Sequence, residues 1–124
     1  MRAILAAAIV VYVGLVVATA QVREHDCGWM APPHASAKQN PLANRPDAAV
    51  GGAKLFQDRC AMCHGADARG TEDAPDLLRS EVQAQTDGAL FWKISTGNSR
   101  SGMPAFSYLP ELQRWQLVLH LRQR

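Results

Sequence analysis

Cys60-Ala61-Met62-Cys63-His64 is the run of residues best equipped to do chemistry in this 124-residue chain. Thiols three positions apart lie on one face of a helical turn. So placed, they can reach two vinyl groups on one side of a porphyrin and form thioethers, the pattern of a haem c attachment site. His64, the next residue, then points its imidazole at the iron as the proximal ligand. Two other chemistries use C-x-x-C. A thioredoxin-like redox pair follows a strand in a βαβ unit, and no strand-like alternation of useful length occurs here. Half of a zinc site needs a second ligand pair, and only the scattered His25, His34 and His120 remain.

An iron held in this way wants a sixth ligand. Beyond the initiator, the methionines are Met30, Met62 and Met103. Met62 lies inside the attachment motif and cannot fold back onto the opposite face of the ring. Met30 precedes the domain, in a proline-rich stretch. Met103 stands 39 residues after His64, ample chain to pass round the ring, on a loop stiffened by Pro104. Gap-filling in a core is the usual task of a methionine. The need for a ligand instead assigns Met103 to the iron, and His/Met coordination raises the reduction potential relative to two nitrogen ligands.

The elements that must position these groups are helical. A first helix is expected to open near Pro46, since proline is tolerated at the first helical position, and to run from Asp47 to Cys60. Gly51 and Gly52 inside it cost about 1 kcal/mol each relative to alanine, which suggests a close helix contact. Gly65 to Asp76 reads as a loop that ends at Pro75. Thr86 is a good N-cap for a helix from Asp87 to Thr96, and Gly97 a good stop. A second polar loop, Asn98 to Gly102, leads to Met103-Pro104. The last helix is expected from Pro110 to Arg122, with Glu111 at its positive end and Arg122 and Arg124 at its negative end. Three or more helices joined by loops make an all-α domain over residues 46–124.

Ahead of that domain the chain changes character. Met1 and Arg2 precede an uncharged stretch from Ala3 to Ala20, ending in the small residues Ala18-Thr19-Ala20. Residues 1–20 read as a signal peptide cut before Gln21, or as an uncleaved membrane anchor at the lower limit of length. Either exports the remainder, because Arg2 favours the cytoplasmic side. Residues 21–45 are rich in proline and polar residues; Pro32, Pro33 and Pro41 are expected to bar a helix and leave an extended arm along the domain. Removing Arg2 leaves 12 basic against 11 acidic residues, a net of +1, which offers no basic patch for nucleic acid. Cys27 fits no lipid-attachment pattern, because His25-Asp26 precede it; it reads as a free thiol or as half of an intermolecular disulfide.

Several segments together resemble the class I c-type cytochromes, the small bacterial monohaem family. They are Gly52-Ala53-Lys54-Leu55-Phe56, Cys60 to Gly65 as C-x-x-C-H-G, Ala74-Pro75-Asp76-Leu77, Gly102-Met103-Pro104-Ala105-Phe106, and Arg114-Trp115 through Leu121-Arg122. The resemblance implies three to five helices and their loops wrapped around one haem, with the first and last helices crossing. Gly52 and Phe56 would meet Leu117 and His120 there. An aromatic is usual at the place of His120, so this residue departs from the pattern and is expected simply to fill the aromatic's slot. The resemblance also gives Pro75 a role, its carbonyl taking the hydrogen bond from His64. Trp92 either reaches a haem propionate through its indole N–H or belongs to the core, as does Trp115.

An iron with both axial positions filled by protein exchanges electrons while changing little else. The expectation is therefore an electron carrier rather than an enzyme. It would pass single electrons between a donor and an acceptor protein, free or as the cytochrome subunit of a dehydrogenase or oxidase complex. Its place would be the periplasm, or the periplasmic face of the inner membrane. The alternative is a haem enzyme or gas sensor whose sixth position is open or weakly held.

Overall fold

The computed structural model describes residues 28–124. The uncharged start, Cys27 and the first residues of the arm lie outside them. Six α-helices follow one another: α1 (Pro33–Ser36), α2 (Ala49–Arg59), α3 (Ala61–His64), α4 (Ser80–Gln83), α5 (Asp87–Thr96) and α6 (Glu111–Arg122). Single 3₁₀ turns occupy Pro46–Ala48 and Ser99–Ser101. Among the described residues there is no strand; one isolated antiparallel bridge joins Asn98 to Met103.

The expectation that the prolines bar a helix is corrected at Pro33–Ser36. Proline stands at the start of this single turn, where its missing N–H needs no partner. The amides of Ala35 and Ser36 donate instead to the Pro32 carbonyl, at 2.9 and 3.0 Å. The arm then lies on α5 and α6. Gly88 packs directly beneath the carbonyls of Ala35, Ser36 and Lys38, so closely that any side chain there would collide with them. Thr86 Oγ1 donates to the Ser36 carbonyl at 2.7 Å. Buried Asn40 donates from Nδ2 to the Trp115 carbonyl at 3.3 Å, while its Oδ1 accepts from the Leu42 amide.

The three long helices have local causes. Pro46 opens a 3₁₀ turn rather than the α-helix itself, and α2 begins only at Ala49. Thr86 caps α5 by accepting from the Ala89 amide at 3.1 Å, and Gly97 ends it at φ +64°. On α2 the buried positions are Ala49, Gly52 and Phe56, one helical stripe that meets α6. A Cβ on Gly52 would overlap the Gln116 carbonyl and stand 2.9 Å from the His120 Cβ, so the two backbones touch there. Phe56 and His120 meet ring to ring at 5.4 Å. His120 thus fills the slot of an aromatic at the helix contact.

Two apolar clusters result. Phe56, Ala68, Phe106, Leu109, Leu117 and Leu121 form one between α2, α6 and the loops. Leu90, Phe91, Trp115 and Val118 form the other between α5 and α6, with Phe91 and Trp115 stacked at 4.0 Å. Arg122 locks the end of α6 to the turn before α5. It pairs with Asp87 at 2.8 Å and donates to the carbonyls of Gln83 and Gln85.

Candidate haem site

The site starts where α2 stops. Cys60 still donates its amide to the Phe56 carbonyl at 2.8 Å, but its backbone (φ −118°, ψ −35°) turns the chain, and α3 restarts as one separate turn. Both thiols are free; Cys60 is half-buried against the first cluster and Cys63 is exposed. Burial, with the neighbouring Cys63 thiol adding to it, pushes the Cys60 thiol up to about 11. Among the described residues no three side chains of the His, Cys, Asp and Glu type come together as a metal-binding group.

His64 closes α3, and its Nδ1 stands 3.0 Å from the Pro75 carbonyl. A carbonyl only accepts, so Nδ1 carries the proton and the Nε2 lone pair is left free to bind a metal. The loop from Gly65 makes this contact by folding back on the motif. The Gly70 amide donates to the His64 carbonyl at 2.7 Å, and the Leu77 amide to the Ala68 carbonyl at 2.8 Å. Thr71 Oγ1 donates to the Cys63 carbonyl at 2.6 Å. Thr71 escaped the sequence reading: a loop threonine carries no sign of which distant carbonyl it will reach.

Met103 arrives from the other end of the domain. Two hydrogen bonds with Asn98 define the bridge, Asn98 N to Met103 O at 2.9 Å and Met103 N to Asn98 O at 3.0 Å. A further bond from the Phe106 amide to the Ile94 carbonyl, at 3.0 Å, ties the loop to α5. Met103 and Cys60 both rest, partly buried, on the first apolar cluster, together with Leu55, Ala61, Leu77, Leu78 and Ile94. Trp115 belongs to the core, its ring in the second cluster and its Nε1 donating to Glu111 at 3.4 Å. Trp92 is half-buried and belongs to neither cluster.

These residues fit a haem. Two free thiols on one turn precede a histidine whose second nitrogen is available. Leu77, Leu78 and Ile94 rest partly buried on the same apolar cluster as Cys60 and the Met103 thioether, a lining suited to a hydrophobic ring. An all-α domain with such an attachment turn is a class I c-type cytochrome domain with covalent haem c, and Cys60, Cys63 and His64 fit its C-x-x-C-H motif. Residues 47–121, well over half of the chain, match the family described as cytochrome c oxidase, cbb3-type, subunit III, and the chain belongs to that family.

Over 55 residues it is 47 % identical to the cbb3-type cytochrome c oxidase subunit CcoP of Rubrivivax gelatinosus. That stretch is 42 % of this chain and spans only 18 % of the length of that relative. Among solved structures it resembles cytochrome cL from the marine methylotroph Methylophaga aminisulfidivorans. The identity is 25 % and the TM-score 0.58, over 67 % of this chain and 59 % of that one. It also resembles the KustC0563 c-type cytochrome, with 28 % identity and a TM-score of 0.52 over 58 % of this chain and 94 % of the other. The chain is thus a haem c protein of electron transfer. Among the described residues no helix is long and apolar enough to cross a membrane.

Proposed function

We propose that the domain relays single electrons through a haem whose iron is held by His64 and Met103. The observation that carries this is the meeting of Cys60 and Met103 on one apolar cluster, 43 positions apart in sequence. The haem supplies the redox chemistry when bound. The chain's residues hold it: Cys60 and Cys63 by thioethers, and His64 with its ring fixed by Pro75. A proximal histidine oriented through Nδ1 is a better donor to iron and keeps one orientation in both oxidation states. Trp92, set apart from the core clusters, supplies an indole N–H to a propionate.

A carrier of this kind needs a donor and an acceptor protein. The likeness to an oxidase subunit supports service within, or beside, a membrane oxidase or dehydrogenase complex. Attachment of haem c and the uncharged start favour the periplasmic side, with residues 1–20 either removed or retained as an anchor.

The test is an optical spectrum of the protein co-produced with the haem c maturation machinery. His64/Met103 ligation gives an oxidised form with the weak far-red sulfur-to-iron band and a reduced form indifferent to carbon monoxide. Loss of the band with rapid carbon monoxide binding would assign the protein to ligand-binding or enzymatic haem chemistry instead.

A further inference from the structure

We propose that Trp29, in the N-terminal arm, is a positioning residue for the Met103 ligand, acting through the peptide unit that joins Gly97 to Asn98. The inference rests on Met103 being an iron ligand. The Trp29 indole donates from Nε1 to the Gly97 carbonyl at 2.8 Å. The N–H of that same peptide unit, on Asn98, donates to the Met103 carbonyl at 2.9 Å. One planar group therefore accepts from the arm on one side and holds the methionine backbone on the other.

This peptide needs an outside partner because of the residue before it. Gly97 lies at φ +64°, ψ −174°, a region open essentially to glycine alone, and glycine does little to fix the plane that follows. A side chain at Gly97 is barred as well, since a Cβ would stand 2.6 Å from the Pro104 carbonyl carbon and the Ala105 amide. Farther along, the loop is anchored by α5 itself, through the Phe106 to Ile94 bond. Nearer Met103, the Asn98 bridge is the anchor, and its outer peptide faces Trp29. Lys93 lies over the indole, its Nζ 4.5 Å from the ring centroid, a cation–π contact that helps to hold the ring. Trp29 also lies outside residues 47–121, so the family domain alone does not contain this brace.

A single hydrogen bond of this sort shifts a local equilibrium about two- to tenfold. The population that matters is the one in which the Met103 sulfur has left the iron. Carbon monoxide reads it, because binding to the reduced protein must wait for that departure. The experiment uses the full chain with haem attached, in three variants. Trp29→Phe removes the indole. Replacement of Trp29 by benzothienylalanine keeps the bicyclic ring over Lys93 and removes only the N–H, which covers the case in which Trp29→Phe folds poorly. Asn40→Ala frees the arm from α6 without touching the Gly97–Asn98 peptide.

Both Trp29 variants are expected to bind carbon monoxide about two- to tenfold faster. They should also lose hydrogen-exchange protection at the Asn98 and Met103 amides. Asn40→Ala should lower the melting temperature and leave both readouts unchanged. Trp29 variants indistinguishable from the parent overturn the proposal, and so does an Asn40→Ala protein that changes as much as they do. Failure of the ligand reading shows in the parent protein itself, as a missing far-red band and immediate carbon monoxide binding, and the inference then falls with it.

Discussion

His120 holds a polar ring at a place built for an aromatic one, and the misfit has a measurable sign. It is 8 % exposed, packs on Phe56, and its buried Nε2 has no hydrogen-bond partner among the described residues. An unpaired buried polar atom costs about 1–3 kcal/mol. Burial, and secondarily the nearby Arg124 charge, hold the imidazole below its usual pKa. The unfolded chain, with a histidine near pKa 6.5, then binds the proton more tightly than the folded one. Stability from this group is complete above that value and is lost as pH falls through the depressed folded pKa. Replacing His120 with phenylalanine should therefore raise the melting temperature at neutral pH and widen its advantage toward pH 5. Melting temperatures of the two proteins that differ by the same amount across that range would show that folding does not depress the His120 pKa. The departure at His120 was legible in sequence against the family pattern. Its missing partner was not, because only the packing of α2 on α6 decides what a ring nitrogen meets.

At the scale of elements, the contact of α2 with α6 turns on one glycine of a pair. A Cβ at Gly52 would overlap the backbone carbonyl of Gln116, which cannot move without shifting the whole of α6. A Cβ at Gly51 meets only the Gln116 side-chain amide, 2.7 Å away and free to swing aside. Gly52→Ala should accordingly destabilise by at least about 2 kcal/mol, since overpacking a helix contact outweighs the roughly 1 kcal/mol gained in helix propensity. Gly51→Ala should be neutral or stabilising, and chemical denaturation of the pair distinguishes the two positions. The glycines pointed to a close contact from sequence alone, but not to which of them makes it. Thr86 and Gly97 marked both ends of α5, because a cap and a stop are local chemistry written at fixed offsets. The single turns α1 and α4 left no such mark. Four residues are too few to show a period, and α1 owes its place to Gly88 and Thr86 about fifty positions away. The attachment turn was readable for the same reason as α5, all its parts being neighbours. The Trp29 to Gly97 contact was not, since 68 residues separate donor and acceptor.

For the molecule as a whole, the question is how much of the fold the polypeptide supports without its prosthetic group. Its 97 described residues build two modest clusters, and five larger apolar side chains rest on the first only partly buried: Leu55, Leu77, Leu78, Ile94 and Met103. Full burial of one such side chain is worth about 1.5–3 kcal/mol, so completing a half-buried one contributes about 1 kcal/mol. A haem that covered all five would add about 5 kcal/mol, comparable to the whole net stability of a small domain. In a domain of this size 1 kcal/mol moves the midpoint by about 4–8 °C. A Cys60→Ala, Cys63→Ala chain purified without haem should therefore melt about 20–40 °C below the mature protein, with a broadened far-ultraviolet dichroism transition. The loss should be concentrated in the loops. Segments 65–79 and 98–109, which hold Pro75, Leu77, Leu78 and the proposed ligand Met103, should lose hydrogen-exchange protection first. Helices α2 and α6 should hold longest, since their mutual contact at Gly52 and Phe56 does not involve the apolar face. A haem-free chain melting within about 10 °C of the mature protein would mean that the two clusters suffice. Attachment would then serve to retain the haem and tune its potential, with little part in holding the fold together.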